Sequence, residues 1–262
     1  MVQASDQPAV GEAVYVYCFS LPGISTPPGP GMDENQPIIV HTTHNLSAVV
    51  CWVSLYDFTG ESGESNLQDI AWLGPRACRH AIVVEQVMAN APVFPLPFGT
   101  LFSSLPALDL EIAHRFSEVS AALERVAGCQ EWSVEATLDR FKAIDYRLEE
   151  DLRSGRVKLP EAIGRRHLEE QKLRRQLSLD LDAWINDYLN PVKDDLASLA
   201  HGFRPRRLTD NKVSHWAFLV PINQVETFRV KTEQMTIAHE SAGLSFRVTG
   251  PWPPYTFCQT AS

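Results

Sequence analysis

The chain has 262 residues, 44% hydrophobic and 21% charged, which is the balance of a core-forming globular protein rather than a disordered one. That length suits one large or two ordinary domains. A formal net charge of −9 argues against a general nucleic-acid binder, which needs a basic surface to neutralise phosphates, while leaving room for local basic patches.

In chain order, Val14 to Phe19 is β-branched and aromatic and reads as a strand. The segment from Leu21 to Pro37 is rich in proline and glycine and reads as a loop. Ile38 to Thr42 and Leu46 to Val53 are short apolar runs with His44-Asn45 between them, the pattern of a hairpin. Tyr56 to Ser65 reads as a polar loop. From Asn66 to Asn90, Leu67, Ile70, Leu73, Ala77, Ala81, Val84 and Met88 recur at helical spacing, with a break expected near Gly74-Pro75. Ala91 to Ser104 is apolar and aromatic but broken by prolines, so it predicts an extended, stiff ribbon. A second helix begins near Ala107, carries Leu108, Ile112, Phe116, Val119, Leu123 and Val126 on one stripe, and stops at Gly128.

The second half opens with a clean alternation, Trp132, Val134, Ala136 and Leu138 against Glu131, Ser133, Glu135 and Thr137, which predicts a half-buried strand. Asp139 to Ala200 is charge-dense and helical, divided in two near Gly155 and Pro160, with Leu173, Leu177, Leu181, Trp184 and Tyr188 as a narrow stripe. Phe203 to Leu208 and Val213 to Val220 read as strands. A helix starting at Pro221 turns Ile222, Val225, Phe228 and Met235 inward, and Leu244, Phe246 and Val248 alternate in a last strand. This is the β-α-β-β-α-β order of a ferredoxin-like sheet. The fold class is therefore α+β with two domains. Residues 1–128 form a related, irregular α+β layer; residues 129–262 form a ferredoxin-like domain with a long helical insertion and a Pro/aromatic tail.

Candidate chemistry is sparse. His41 and His44 are three apart at a hairpin, where their side chains diverge, so joint metal ligation is not expected. Cys78 and His80 are two apart on a helix and do not face one another, which favours packed residues over a thiol–imidazole nucleophile. Arg204, Arg206 and Arg207 suit either an acidic partner or a solvated edge strand paired with acids such as Asp210. Glu149, Glu150 and Asp151 fan around a helix as solvated charge. Phosphate-loop, dinucleotide, nucleophile-elbow and zinc-protease signatures do not occur. The five cysteines, Cys18, Cys51, Cys78, Cys129 and Cys258, are scattered without metal or disulfide spacing, as expected for reduced thiols of a cytoplasmic protein. No apolar run approaches the roughly 18–20 residues of a membrane span, and Met1 to Pro8 has no features of a secretory signal. No cofactor is expected.

The proline-broken stretches carry a resemblance. Phe98-Gly99-Thr100 and Thr249-Gly250-Pro251-Trp252-Pro253-Pro254-Tyr255 resemble signatures of the gas vesicle protein F/L family (GvpF/GvpL). Val14-Tyr15-Val16-Tyr17, Leu46 to Val50, and Asn66-Leu67-Gln68-Asp69 before a helix with Trp72 and His80 match that pattern too. The chain departs from it at Cys18, where relatives often carry glycine, and in the long loop from Leu21 to Pro37. The resemblance implies a non-enzymatic accessory protein of gas vesicle assembly, located in the cytoplasm and at the vesicle. It also implies the small hydrophobic shell protein (GvpA) and other accessory proteins as partners. Phe98, Phe102, Trp252 and Tyr255 are then the candidate partner-binding or structural ribbon residues. The alternatives are a ferredoxin-like small-ligand sensor or regulatory module, and an enzyme built on Cys78 or a histidine.

Overall fold

The computed structural model describes residues 11–209 and 211–258. The chain separates into two compact units, one of residues 1–128 with the segment from Trp252 onward, the other Cys129–Pro251. The sequence reading places the whole tail with residues 129–262. From Trp252 it instead belongs to the first unit, because its buried residues Phe257 and Cys258 find their partners there.

The first unit contains the strands β1 (Glu12–Ser20), β2 (Ile39–Thr43), β3 (Leu46–Ser54), β4 (Val93–Pro95) and β5 (Leu101–Phe102). Their order is β2-β3-β1-β4, with β5 also pairing with β1. β1 and β3 run antiparallel and are buried almost throughout, so both sheet faces are covered. The β2–β3 turn has positive φ at His44 (46°) and Asn45 (61°), the geometry of a two-residue hairpin that matches strand twist. Tyr15, Tyr17, Val49, Cys51 and Val53 form one core with Val83, Val84 and Val87 of α2 (Ile70–Met88). α3 (Leu105–Val126) buries Leu108, Ile112, Val119 and Leu123, and its Arg115 stacks over Phe94.

Three helical details differ from the sequence reading. The polar segment before Asn66 is already helical, as α1 (Gly60–Gln68), and the break falls at Asp69 rather than at Gly74-Pro75. Asp69 is extended and its carboxylate accepts the N–H of Ala71 at 2.9 Å, a strong N-cap that restarts the helix. Pro75 cannot donate to the carbonyl of Ala71, but both residues are exposed and water can take that acceptor. Phe116, expected on the buried stripe of α3, is 36% exposed.

The second unit runs β6 (Cys129–Leu138), α4 (Arg140–Arg153), α5 (Ile163–Leu179), α6 (Leu181–Ala197), β7 (Gly202–Pro205), β8 (Lys212–Pro221), α7 (Val225–His239) and β9 (Leu244–Trp252), whose last residue groups with the first unit. The sheet order β7-β8-β6-β9 is the ferredoxin-like order. β8 pairs antiparallel with both β6 and β7. Ile185, Leu189, Val192 and Leu196 of α6, with Phe228 and Met235 of α7, pack on Trp132, Val134, Phe218 and Val220.

The helical insertion has three helices instead of two, with the further break at Asp180. That break splits the expected stripe, leaving Leu173 and Leu177 on a helix with no buried residue and Leu181 buried on the next. Pro191 lies inside α6 and repeats the logic of Pro75, since it and Asp187 are both exposed. β6 is buried on its polar side as well, with Glu131 and Ser133 at 1% and 3% exposure. Ile222 is 60% exposed because the chain first makes a 3-10 turn, Ile222–Gln224, before α7 begins.

Candidate functional site

The ribbon after α2 is an interrupted edge strand. β4 and β5 pair with opposite ends of β1, and between them the Leu96 N–H donates to the Tyr17 carbonyl and Val16 N–H to Thr100. The interruption is a tight turn. Thr100 N–H donates to the Pro97 carbonyl at 3.2 Å, the Thr100 hydroxyl donates to the same oxygen at 2.7 Å, and Gly99 has φ +83°. A positive φ at the third turn position favours glycine, which accounts for the Phe-Gly-Thr string. The turn directs Phe98 onto the core, 6.0 Å from both the Tyr15 and His80 rings between centroids.

The tail reaches the same place. Pro253 and Pro254 are buried, and the carbonyl of Pro254 accepts from Phe257 and Cys258 to close the short helix α8 (Tyr255–Cys258). The Arg125 guanidinium donates to the Phe257 carbonyl at 2.7 Å. The Cys258 thiol donates to the Val93 carbonyl at 3.6 Å. Tyr255 projects its hydroxyl to His80 Nε2 at 3.0 Å.

His80, 3% exposed, joins these segments. Its Nε2 lies 3.1 Å from the Leu96 carbonyl, which can only accept, so the proton sits on Nε2. Nδ1 is then the acceptor for the Tyr15 hydroxyl at 2.7 Å, and that hydroxyl accepts the Gly99 N–H at 3.3 Å. One imidazole thus ties β1, both halves of the Pro-broken ribbon and the tail. A second proton on Nδ1 would remove the acceptor of the Tyr15 hydroxyl, which would have to turn its proton away. Burial holds His80 neutral, its pKa lowered to about 4, with the Leu96 bond opposing. Beside it, Tyr17 contacts the Cys51 sulfur at 3.2 Å, and that sulfur accepts the Met32 N–H. Burial pushes Cys51 up to about 11 and Tyr255 to about 12, and raises Tyr15 and Tyr17 further. The groups are therefore held protonated or neutral, as members of a buried hydrogen-bonded junction.

Of the four ribbon residues taken from the sequence, Phe98 and Tyr255 meet around His80. Phe102 is half-buried on β5 opposite Val14, and Trp252 is 44% exposed. The sequence reading missed Tyr15, Tyr17 and His80 as a unit. Its available signal was the spacing of His80 with Val83, Val84 and Val87, which puts the imidazole on the buried stripe of α2.

The other candidates do not converge. His41 bonds Asp109 at 2.6 Å while His44 occupies the hairpin turn. Cys78 is exposed and His80 buried, on different faces of α2. Glu150 and Asp151 pair with Arg153 and Arg156, whereas Glu149 is exposed. Arg204, Arg206 and Arg207 are exposed along and beyond β7; their suggested partner Asp210 lies outside the described residues. Among the described residues there is no group of three or more His, Cys, Asp or Glu able to hold a metal. No helix there is long and apolar enough to cross a membrane.

The model of the family described as "Gas vesicle synthesis protein GvpL/GvpF" matches residues 13–259. The chain belongs to the GvpL/GvpF family. That match spans both signature ribbons, so the His80 junction lies inside the family region of this GvpL/GvpF chain. It is 26% identical to gas vesicle protein L2 of Halobacterium salinarum, over 97% of this chain and 94% of the relative. It is 25% identical to gas vesicle protein L of a Streptomyces species, over 94% and 93%. The crystal structure of the gas vesicle protein GvpF from an Anabaena species superposes with a TM-score of 0.69 at 17% identity, covering 96% of this chain and 98% of that one. GvpF from Microcystis aeruginosa gives 0.65 at 19% identity, over 95% and 99%. These two similarities show that this GvpL/GvpF chain has the GvpF fold.

Proposed function

We propose that this gas vesicle protein is a non-catalytic accessory factor that binds the hydrophobic shell subunit, GvpA, directly and supports vesicle assembly. It would act in the cytoplasm and at the vesicle, alongside other accessory proteins. The observation that carries the reading is the family match over residues 13–259. The physical need is plain: a subunit whose polymer borders a gas space exposes apolar surface before it assembles, and that surface has to be shielded or aligned. A ribbon stiffened by prolines loses little entropy when it does so. Trp252 is the ribbon residue offered for contact, being the most exposed of the four, and Phe98, Phe102 and Tyr255 support it from within.

The test is a pull-down of shell subunit at low and high ionic strength, beside a count of buoyant cells after deletion of the gene. Apolar contact predicts binding that survives salt, whereas contact through Arg204, Arg206 and Arg207 predicts binding that salt screens away. No binding at either salt, together with normal vesicles in the deletion, eliminates the reading and promotes a ligand-binding module in its place.

A further inference from the structure

A cleft of about 340 Å³ lies in the second unit between α4 and α6, lined by Tyr146, Arg147, Glu150, Asp151, Arg156, Trp184 and Tyr188. Its wall is aromatic. The Trp184 and Tyr188 rings are 4.9 Å apart between centroids, and Tyr146 meets Tyr188 edge-on at 6.1 Å. The Tyr188 hydroxyl is spent on His239 at 2.9 Å.

The charges at the mouth are not equally satisfied. Glu150 pairs with Arg153 at 2.6 Å and Asp151 with Arg156 at 2.7 Å. Arg147 has no carboxylate within ion-pair distance among the described residues. It donates one Nη1 bond to the Leu177 carbonyl at 2.8 Å and stacks over Trp184 at 5.3 Å. A guanidinium has five N–H donors, so most of its fork is unused. The fields of Asp151 and Asp180 favour its charge, yet desolvation outweighs them and lowers its pKa. An under-compensated cation beside a cluster of aromatic rings has the makings of an anion site with an aromatic neighbour.

We propose that this cleft binds a small aromatic carboxylate, its ring against Trp184 and Tyr188 and its carboxylate on the free fork of Arg147. The volume is at the lower end for ligand pockets, which limits the occupant to about one ring and a short acid arm. The site is independent of the shell-binding reading, since it uses none of the ribbon residues.

The decisive experiment titrates the full-length protein near pH 7 and low salt with phenylacetate, phenethylamine and acetate, read by calorimetry and by thermal shift. Phenylacetate should saturate in the millimolar range or below and raise the melting temperature, whereas phenethylamine and acetate should do neither. Arg147→Met should weaken phenylacetate roughly tenfold or more, and Trp184→Leu should weaken it through the ring. Because Arg147 also joins α4 to Leu177, Arg147→Lys serves as a gentler variant that keeps the charge and loses the fork. It should fold normally and still bind several-fold more weakly. The proposal is overturned if phenylacetate shows no saturable binding, if phenethylamine binds as well, or if folded Arg147→Lys and Trp184→Leu bind like the parent.

Discussion

The two units arrange their sheets in one order and cover them by different means. β2-β3-β1-β4 in the first unit corresponds position by position to β7-β8-β6-β9 in the second. The first crossover is where they part. In the first unit it is a loop holding Pro22, Pro27, Pro28, Pro30 and Pro37, a density of prolines that no helix tolerates. In the second it is α4, α5 and α6, of which α5 buries nothing. The first unit instead completes itself with the far end of the chain. Strand order is the shared element, and the covering layer is free to come from a loop, from helices or from a tail.

The comparison breaks most sharply at Phe257. Phe257→Ala removes a ring that is 5% exposed and should cost about 3–5 kcal/mol. Hydrogen exchange should quicken in β1 and α3 and stay slow in β6 and β8. Equal loss in both sheets would show that the tail does not belong to the first unit. Trp252→Ala, at a residue 44% exposed, should cost clearly less than Phe257→Ala in the same assay.

Acid should single out His80. Its folded pKa of about 4 lies below the ordinary 6.5, so the unfolded chain takes up a proton first as pH falls. Stability from this residue is complete above pH 6.5, declines toward pH 4 and then levels, a loss of about 3 kcal/mol. Urea midpoints for the parent should fall more steeply over that range than those for His80→Gln. Parallel pH profiles would remove His80 from the account.

In the second unit the corresponding weak point is Gly243, with φ +78° just before β9. A Cβ there would sit 2.6 Å from the Asp139 carbonyl oxygen and 3.0 Å from Ala143 N. Gly243→Ala should cost about 1–3 kcal/mol, with faster exchange in α4 and β9. The smallest effect belongs to α5. Leu168→Gln and Leu179→Gln, at 70% and 84% exposure, should each change stability by less than about 0.5 kcal/mol. A larger loss would mean that α5 is covered by something after all.

Much of this was legible in the residues. The hairpin followed from His44-Asn45, the β6 strand from its alternation, and the ferredoxin-like order from the succession of patterns after Gly128. The helix breaks at Gly128 and at Gly155 to Pro160 were legible too, but those at Asp69 and Asp180 were not, because a proline on a wet face is tolerated whereas capping by Asp69 depends on one local carboxylate geometry. At the candidate site the two ribbons stood out as proline-stiffened aromatics. Their meeting point did not, since His80, Tyr15 and Tyr255 are distant in sequence and nothing periodic links them. Trp252, conspicuous by composition, is the least buried of the ribbon residues, while the quieter Phe257 anchors the tail.

The docking of α8 beside β4 has a consequence for how the protein is made. Strand β1 leaves the ribosome well before Phe257, with the second unit synthesised in between. The strands of the first sheet can pair before Phe257 is made, but the seat of that ring stays open until it emerges. A prematurely terminated chain would carry both sheets and still expose the apolar seat of that ring, a flaw that chaperones and proteases recognise. Completion of the first unit thus waits on synthesis of the whole second unit, which lies between its helices and α8 in the chain.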